Sequence, residues 1–310
     1  MTHSTPPQPS LLSRWWIYQR ERFPIVSYSV LVLVFSSAAV IYPTLLTQTQ
    51  PQIHTIAVVF VTFFCAFLQL RIADEFKDYE HDCEYRPQRP VPRGLIGLKE
   101  LRALEIITVL IQLVATLMLT WRLLPWLGFL WIFQALMRWE FFVRDWLRQR
   151  SVIYLISHNL VLPIMALYGI MASYIPIAPF PRHPQIIAFL LLSSAHGLLI
   201  EIGRKIRAPE QEIPGGETYS QVWGLRRSLY TWMNVGFVST ILTAIALYCL
   251  QIFISAILLL LIGSSGIWAA SYQFLQQPTA QTSKQIYTVS ALWMMVSYLN
   301  LGVIPWLMQR

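Results

Sequence analysis

The sequence predicts an all-α, polytopic integral membrane protein. Of its 310 residues, 55% are hydrophobic and only 12% are charged, and the apolar residues come in long blocks. A charge-poor stretch of about twenty apolar residues can cross the roughly 30 Å hydrocarbon core of a bilayer. Nine such stretches are present: residues 25–43, 53–72, 101–121, 123–142, 152–173, 184–202, 229–249, 251–273 and 286–307. We therefore predict nine transmembrane helices.

The positive charges predict the orientation of these helices. With the N-terminus in the cytoplasm, only Arg122, Arg182 and Arg310 among the 23 Lys and Arg residues fall on the opposite side. Such an excess of basic residues is typical of cytoplasmic loops. The net charge of +8 then reflects basic residues near an anionic leaflet and does not indicate a nucleic-acid partner. An odd number of spans places the C-terminus on the side opposite to the N-terminus.

A short segment, residues 1–24, precedes the predicted membrane domain, residues 25–310. Residues 1–10 are polar and contain proline, which predicts a disordered tail. Residues 11–22 are basic and aromatic, which predicts a helix lying against the cytoplasmic leaflet. The three cysteines give no disulfide framework.

Six of the fifteen acidic residues lie between Asp74 and Glu84, directly after the second apolar block. Asp74, Asp78 and Asp82 are each four residues apart, so on one helix their carboxylates would form a staggered stripe. Carboxylate oxygens at this charge density suit Mg²⁺. The alternative, from spacing alone, is a solvated helix end whose acids are balanced by Lys77 and the nearby arginines.

A second charged cluster follows the sixth block and precedes another loop with proline and glycine. Its charged members are Glu201, Arg204, Lys205, Arg207, Glu210 and Glu212. The sequence contains no glycine-rich nucleotide loop and no Cys/His metal spacing.

Two further polar groups stand close to apolar sequence. Arg138 and Glu140 are two residues apart, so on a helix they face different directions and should find partners elsewhere. Ionisable groups at such depth usually face a cavity or a partner. The alternative here is that the Arg138 side chain extends to the membrane interface, beside Glu140 at that interface. In the fifth block, His158 and Asn159 make a polar break before Pro163. A lone histidine there is more often a hydrogen bonder between helices than a catalyst.

The arrangement of two charged cytoplasmic loops after spans two and six resembles the UbiA-type membrane prenyltransferase superfamily. The first motif of that family is Asn or Asp, three residues, Asp, three residues, Asp, and then a loop with Arg-Pro that ends in Gly. Asp74, Asp78 and Asp82 match it, as does the run from Arg89 to Gly94. The resemblance covers the chain after residue 24. It implies nine helices around a central cavity that opens to the cytoplasmic side, in a plasma or thylakoid membrane.

The second motif departs from the pattern of the family. The family has two or three Asp after span six, which hold another Mg²⁺, and then a Thr-containing stretch that ends in Gly. That stretch is present at residues 216–224, and Glu201 can stand for the first Asp. Arg204 and Lys205 occupy the region of the remaining acids. Either these cations bind phosphate oxygens directly, or the two glutamates of the following loop complete a weaker metal site.

The resemblance implies a polyprenyl diphosphate substrate in contact with membrane lipid, an acceptor that is commonly aromatic, and Mg²⁺. The metal would stabilise charge on the leaving diphosphate, and aromatic rings would shield the allylic carbocation. The implied metal ligands are Asp74, Asp78 and Asp82. The implied catalytic residues are these three and Glu201, and the candidate proton acceptors are Glu140 and Glu201. The implied diphosphate-binding residues are Arg71, Lys77, Arg89, Arg204, Lys205 and Arg207.

Two alternatives remain open. A membrane terpene cyclase of the same type would keep the carbocation without a second substrate. A transporter or lipid-binding protein would be non-enzymatic, but transporters place ionisable residues near the membrane midplane. Here the acids all lie on the predicted cytoplasmic side, which favours chemistry on the head of an amphiphile.

Overall fold

The computed structural model describes residues 10–175, 183–213 and 218–309. Most of the predicted N-terminal tail, and Gly216 and Glu217 of the predicted second motif, lie outside these ranges. Within the described residues the regular structure is helical, without strands. The α-helices are α1 (Leu11–Arg22), α2 (Ile25–Leu46), α3 (Ile53–Lys77), α4 (Tyr79–Tyr85), α5 (Leu98–Leu119), α6 (Leu124–Arg138), α7 (Arg144–Arg148), α8 (Ser151–Asn159), α9 (Val161–Tyr174), α10 (Gln185–Arg204), α11 (Tyr219–Val222), α12 (Leu225–Cys249), α13 (Phe253–Gln276), α14 (Ala280–Leu301) and α15 (Val303–Met308).

The all-α membrane fold predicted from the sequence is confirmed. Eight helical segments in the described part of the chain are long and apolar enough to cross a membrane, two of them composed of α8 with α9 and α14 with α15. The fourth predicted span is shorter, because α6 has 15 residues and therefore a length of about 22 Å. The count of nine spans stays a prediction.

The long helices pack mainly against their neighbours, with α12 against α10 and α13, α3 against α5, and α2 against α3 and α9. Aromatic side chains fill the interior between them. Phe35 stacks on Tyr298 with 5.0 Å between ring centroids, and Tyr42 stacks on Phe189 at the same separation. Large apolar side chains of α5 and α13 face outward, as expected of helices in contact with lipid.

Helix α1 has the bounds predicted for the interfacial helix, and it packs on the protein. Its Tyr18 is buried in a small second core with Ile72, Val91, Ile96 and Leu101. Ion pairs add to this core: Arg14 contacts Glu100 at 2.7 Å, and Arg22 contacts Glu75. The helix therefore braces the end of α3 and the loop that follows α4.

Candidate functional site

Charged side chains gather where α3, α6 and α10 end and where α8 begins. Asp74, in the last turn of α3, keeps 43% of its side chain exposed. Arg71 and Lys77 lie 3.7 Å and 4.0 Å from its carboxylate oxygens, beyond hydrogen-bond distance. The predicted residue Asp74 thus has oxygens that are open to a further ligand.

Lys77 connects this carboxylate to two other elements. Its ammonium group donates a 2.6 Å hydrogen bond to the Tyr154 hydroxyl on α8 and lies 5.3 Å from the centre of the Tyr154 ring. It also lies 4.0 Å from Glu140. The side chain is only 13% exposed, so these partners fix its position beside Asp74.

The turn after α6 has a backbone conformation that is rare for residues other than glycine. Glu140, Phe141 and Phe142 have φ values of 48°, 53° and 60°, in the left-handed region. This turn buries the Glu140 side chain, which is 2% exposed, with Arg144 and Arg148 at 3.1 Å and 3.6 Å. Strain of this kind is common at functional sites.

Arg138 has a separate partner, as the sequence predicted. Its guanidinium group contacts Glu105 of α5 at 2.5 Å and covers the ring of Phe76 at 4.5 Å. The prediction that Arg138 and Glu140 do not pair with each other is confirmed.

The single carboxylate stripe predicted over Asp74, Asp78 and Asp82 is not what the structure shows. Helix α3 ends at Lys77, and Asp78 forms the junction with α4. Beyond the junction Asp82 is 2% exposed and is held by Arg89 at 2.5 Å and by Arg86 at 3.3 Å. The described residues contain no group of three or more acids, His or Cys placed to hold a metal ion.

Asp82 and Arg89 thus satisfy each other in this structure, so that the carboxylate anchors the Arg-Pro loop. A buried carboxylate needs paired cations, and the arginines of the following loop supply them. The predicted diphosphate-binding residue Arg89 is correspondingly committed to this pair.

The end of α10 carries the second cluster. Glu201 is paired with Arg204 and, at 3.2 Å, with Lys205. The Lys205 ammonium group also lies 5.2 Å from the centre of the Tyr219 ring. Arg204 interacts electrostatically with Asp74, and therefore the fold brings the two predicted motifs together.

Other predicted residues of this loop lie elsewhere. Glu210 accepts a hydrogen bond from the backbone N–H of Ala280 at 2.7 Å, and Glu212 accepts one from the Ser220 hydroxyl at 2.6 Å. These bonds cap α14 and close the loop, and the alternative of a weaker metal site completed by the two glutamates stays a prediction. Arg207 is exposed, and its backbone N–H bonds to Ser220. Its role in binding diphosphate stays a prediction.

Sequence reasoning missed the tyrosines of the site. Tyr154 and Tyr219 contact the two lysines, and Tyr28 interacts electrostatically with Arg71 and Arg204. Burial and the nearby Glu201 raise the pKa of Tyr219, so its hydroxyl stays protonated and can donate a hydrogen bond. Aromatic residues near a membrane surface resemble the ordinary interfacial belt, so the sequence offers no signal that separates them.

The donor set fits Mg²⁺ in part. Asp74 offers partly exposed carboxylate oxygens whose neighbouring cations, Arg71 and Lys77, lie 3.7 Å and 4.0 Å away, and Asp78 follows it by one helical turn. Hard oxygen ligands of this kind suit Mg²⁺, which keeps several waters and completes its shell with substrate phosphates. Asp82 would first have to release Arg86 and Arg89.

No protein-family model matches the sequence, and no curated protein matches it. Solved structures do match the fold. A UbiA homologue from Aeropyrum pernix K1 has a TM-score of 0.67 at 11% identity, over 87% of this chain and 96% of the homologue. A UbiA homologue from Archaeoglobus fulgidus bound to GPP and Mg²⁺ has a TM-score of 0.58 at 12% identity, over 92% and 99%.

A third structure is described as that of a digeranylgeranylglyceryl phosphate synthase in membranes. It has a TM-score of 0.56 at 19% identity, over 90% of this chain and 98% of that one. These matches extend over nearly the whole length of each protein. The chain therefore has the fold of the UbiA homologues.

Proposed function

We propose that this chain is a UbiA-type membrane prenyltransferase, whose single membrane domain comprises residues 25–310. It transfers a prenyl group from a polyprenyl diphosphate to an acceptor, most simply an aromatic one. The proposal rests on one observation: the two charged clusters lie close together at one end of the helix bundle. The first consists of Arg71, Asp74 and Lys77 on α3, and the second consists of Arg204 and Lys205 at the end of α10. The same fold binds GPP and Mg²⁺ in a solved homologue.

The charges of the site favour an anionic ligand. Four cations surround Asp74 and Glu201 at the ends of α3 and α10, and Arg and Lys bind phosphate oxygens through charge-assisted hydrogen bonds. Four side chains are placed for this: Arg71, Lys77, Arg204 and Lys205. Because the charged end is at the membrane boundary and the spans are apolar, an amphiphile can place its head among these cations and its tail in the lipid.

The chain supports ionisation of such a substrate through position and charge. Mg²⁺, held by Asp74 and Asp78, supplies charge stabilisation to the leaving diphosphate when bound. Arg71 and Lys77 lie beside the same anion site, and Lys77 is held in place by Tyr154, so its charge needs little reorganisation as the bond breaks. Tyr154 contributes by fixing Lys77 beside Asp74, since its hydroxyl accepts a 2.6 Å hydrogen bond from the ammonium group.

The test is incubation of the purified protein with prenyl diphosphates of several lengths, a panel of phenols and Mg²⁺, with products identified by mass spectrometry. We expect a prenylated phenol and diphosphate. A hydrocarbon or terpene alcohol formed at the same rate without a phenol would instead identify a terpene cyclase. No product with any combination would contradict both.

Two variants assign the site. Asp74→Asn and Asp78→Ala should each abolish Mg²⁺-dependent diphosphate release while the protein stays folded in detergent. Asp145→Asn, on the exposed face of α7, is the matched control and should behave as wild type. Wild-type turnover by the Asp78 variant would refute its metal role.

A further inference from the structure

The segment between α6 and α8 carries a surface patch of aromatic and basic side chains. The acidic residues of this segment oppose it little, since Glu140 is buried and Asp145 is the one other acid between residues 139 and 150. The patch, called the α7 patch below, consists of six exposed residues: Trp139, Phe142, Arg144, Trp146, Arg148 and Arg150.

The left-handed turn at the end of α6 produces the aromatic part of the patch. It buries Glu140 and leaves Trp139 and Phe142 outside, with 58% and 73% of each residue exposed. The two rings stack on each other with 5.6 Å between centroids and an angle of 25°. Large apolar groups in such a cluster are unfavourable in water, so the arrangement suits rings that enter apolar surroundings.

The α7 patch continues the lipid-facing surface of α8. Val152, Ile153 and Ile156 are exposed on that helix, which together with α9 forms a segment long and apolar enough to cross a membrane. Because α7 directly precedes this segment, the patch lies where the span leaves the hydrocarbon core. Its occupant is therefore a membrane component that has both an apolar and a polar part.

The two arginines of α7 retain hydrogen-bond donors for an anion. Arg144 and Arg148 lie 3.1 Å and 3.6 Å from a Glu140 oxygen, and their side chains are 54% and 45% exposed. Neither Glu140 oxygen accepts a hydrogen bond from the described residues, so these ion pairs use no directed N–H. Lys77 also lies 4.0 Å from the same carboxylate. The positive charge around Glu140 thus exceeds what one carboxylate neutralises.

Arg150 adds a third cation at the edge of the patch. Its guanidinium group covers the Trp146 ring at 4.5 Å and donates one hydrogen bond, of 3.1 Å, to the Trp146 carbonyl. A guanidinium group has five N–H donors in a planar fork that matches two oxygens of a phosphate. The charge and the donor geometry of the patch therefore complement a phosphate group.

We propose that the α7 patch binds the headgroup of an anionic phospholipid. Arg144, Arg148 and Arg150 donate hydrogen bonds to the phosphate oxygens, while Trp139 and Phe142 lie against the glycerol end of the acyl chains. The lipid is a bound partner and not a substrate, so this inference holds whatever reaction the chain catalyses.

The experiment is native mass spectrometry of the full chain in detergent, titrated with dioleoyl phosphatidylglycerol or with dioleoyl phosphatidylcholine. The two lipids share their acyl chains and phosphate and differ in net charge, and the measured quantity is the Kd of each. We expect wild type to prefer the anionic lipid. A basic residue near an anionic membrane surface contributes about fivefold, so Arg144→Gln with Arg148→Gln should weaken binding of phosphatidylglycerol by about 25-fold.

A matched control removes the same charge elsewhere. Arg226 and Arg227 are exposed at the start of α12, and changing both to Gln should leave the Kd for phosphatidylglycerol within about twofold of wild type. An equal loss in this control would mean that net charge alone attracts the lipid, which overturns the site. Equal affinity of wild type for the two lipids also overturns it.

The double variant leaves Glu140 with fewer cations, and its folding is therefore checked by circular dichroism. If it does not fold, Glu140→Gln is added to the two arginine changes, so that no unpaired carboxylate stays buried. The same 25-fold loss is then expected. An unaltered affinity for phosphatidylglycerol in the folded variant refutes the lipid site and assigns the exposed rings to a protein partner instead.

Discussion

The variant Asp82→Asn distinguishes a structural role of Asp82, in which it anchors the Arg-Pro loop, from the role of metal ligand that the sequence resemblance implies. Both oxygens of Asp82 are engaged by arginines, and the side chain is 2% exposed. Removing one member of a buried ion pair costs about 3–5 kcal/mol. Arg89 keeps 25% of its side chain exposed, so that solvent screens part of the interaction. We therefore expect the free energy of unfolding to fall by about 3 kcal/mol, the lower end of that range.

A double-mutant cycle sharpens this prediction. Arg89→Gln leaves Asp82 with Arg86 at 3.3 Å, so it should cost less, about 1.5 kcal/mol. The double variant leaves no unpaired carboxylate. Its free energy of unfolding should therefore fall by less than the sum of the decreases in the two single variants, and the difference should be about 1 kcal/mol or more. Denaturant unfolding in detergent micelles, followed by near-UV circular dichroism, measures all three.

Measuring Mg²⁺ affinity tests the alternative, that Asp82 is a metal ligand. Titration calorimetry with geranyl thiodiphosphate present compares Asp82→Asn with Asp74→Asn. If Asp82 anchors the loop, its variant should lose less Mg²⁺ affinity than the roughly 10–100-fold typical of changes next to a metal ligand, and Asp74→Asn should lose more. Wild-type stability of Asp82→Asn, together with an affinity loss equal to that of Asp74→Asn, would refute the structural role.

Three further changes probe the surroundings of the site. Lys205→Asp should make diphosphate release depend on a higher Mg²⁺ concentration, because it replaces a fixed cation by a carboxylate; an unaltered Mg²⁺ titration would argue against that role. Arg22→Met leaves Glu75, which is 1% exposed, without its cation and should destabilise the protein by about 3 kcal/mol in the same unfolding assay. Tyr154→Phe removes a charged hydrogen bond worth about 1.5–3 kcal/mol, so KM for the prenyl diphosphate should rise about tenfold or more; an unchanged KM would refute a binding role.

Much of the fold follows from patterns that the sequence displays directly. Apolar blocks of span length predict the long helices, because a helix in lipid must satisfy its own backbone hydrogen bonds. The basic and aromatic segment from Leu11 to Arg22 predicts α1 with its observed bounds. That α1 also buries Tyr18 against Val91 and Ile96 depends on a tertiary contact that no local pattern carries.

The parts of the site that sequence reasoning missed depend on backbone geometry. Spacing by four predicts a stripe only while the helix continues, and α3 ends before Asp78. The left-handed turn at Glu140–Phe142 contains no glycine, so nothing in the sequence marks it. His158 was expected to bond another helix, and besides Ser157 and Tyr154 of its own helix its ring interacts with the backbone of Met137 on α6.

The second charged cluster, at the end of α10, carries cations where the UbiA-type motif has acids, and this difference is compatible with binding a phosphate. A metal ion there would need carboxylates, but Glu201 is already paired with Arg204 and Lys205 through charges that the chain itself carries. Fixed cations need no free metal and cannot dissociate, and a guanidinium group adds directed hydrogen bonds for phosphate oxygens. Arg204 also interacts electrostatically with Asp74, the proposed metal ligand on α3. Under the proposed function, a diphosphate would therefore meet both the metal that Asp74 would hold and permanent positive charge at the end of α10.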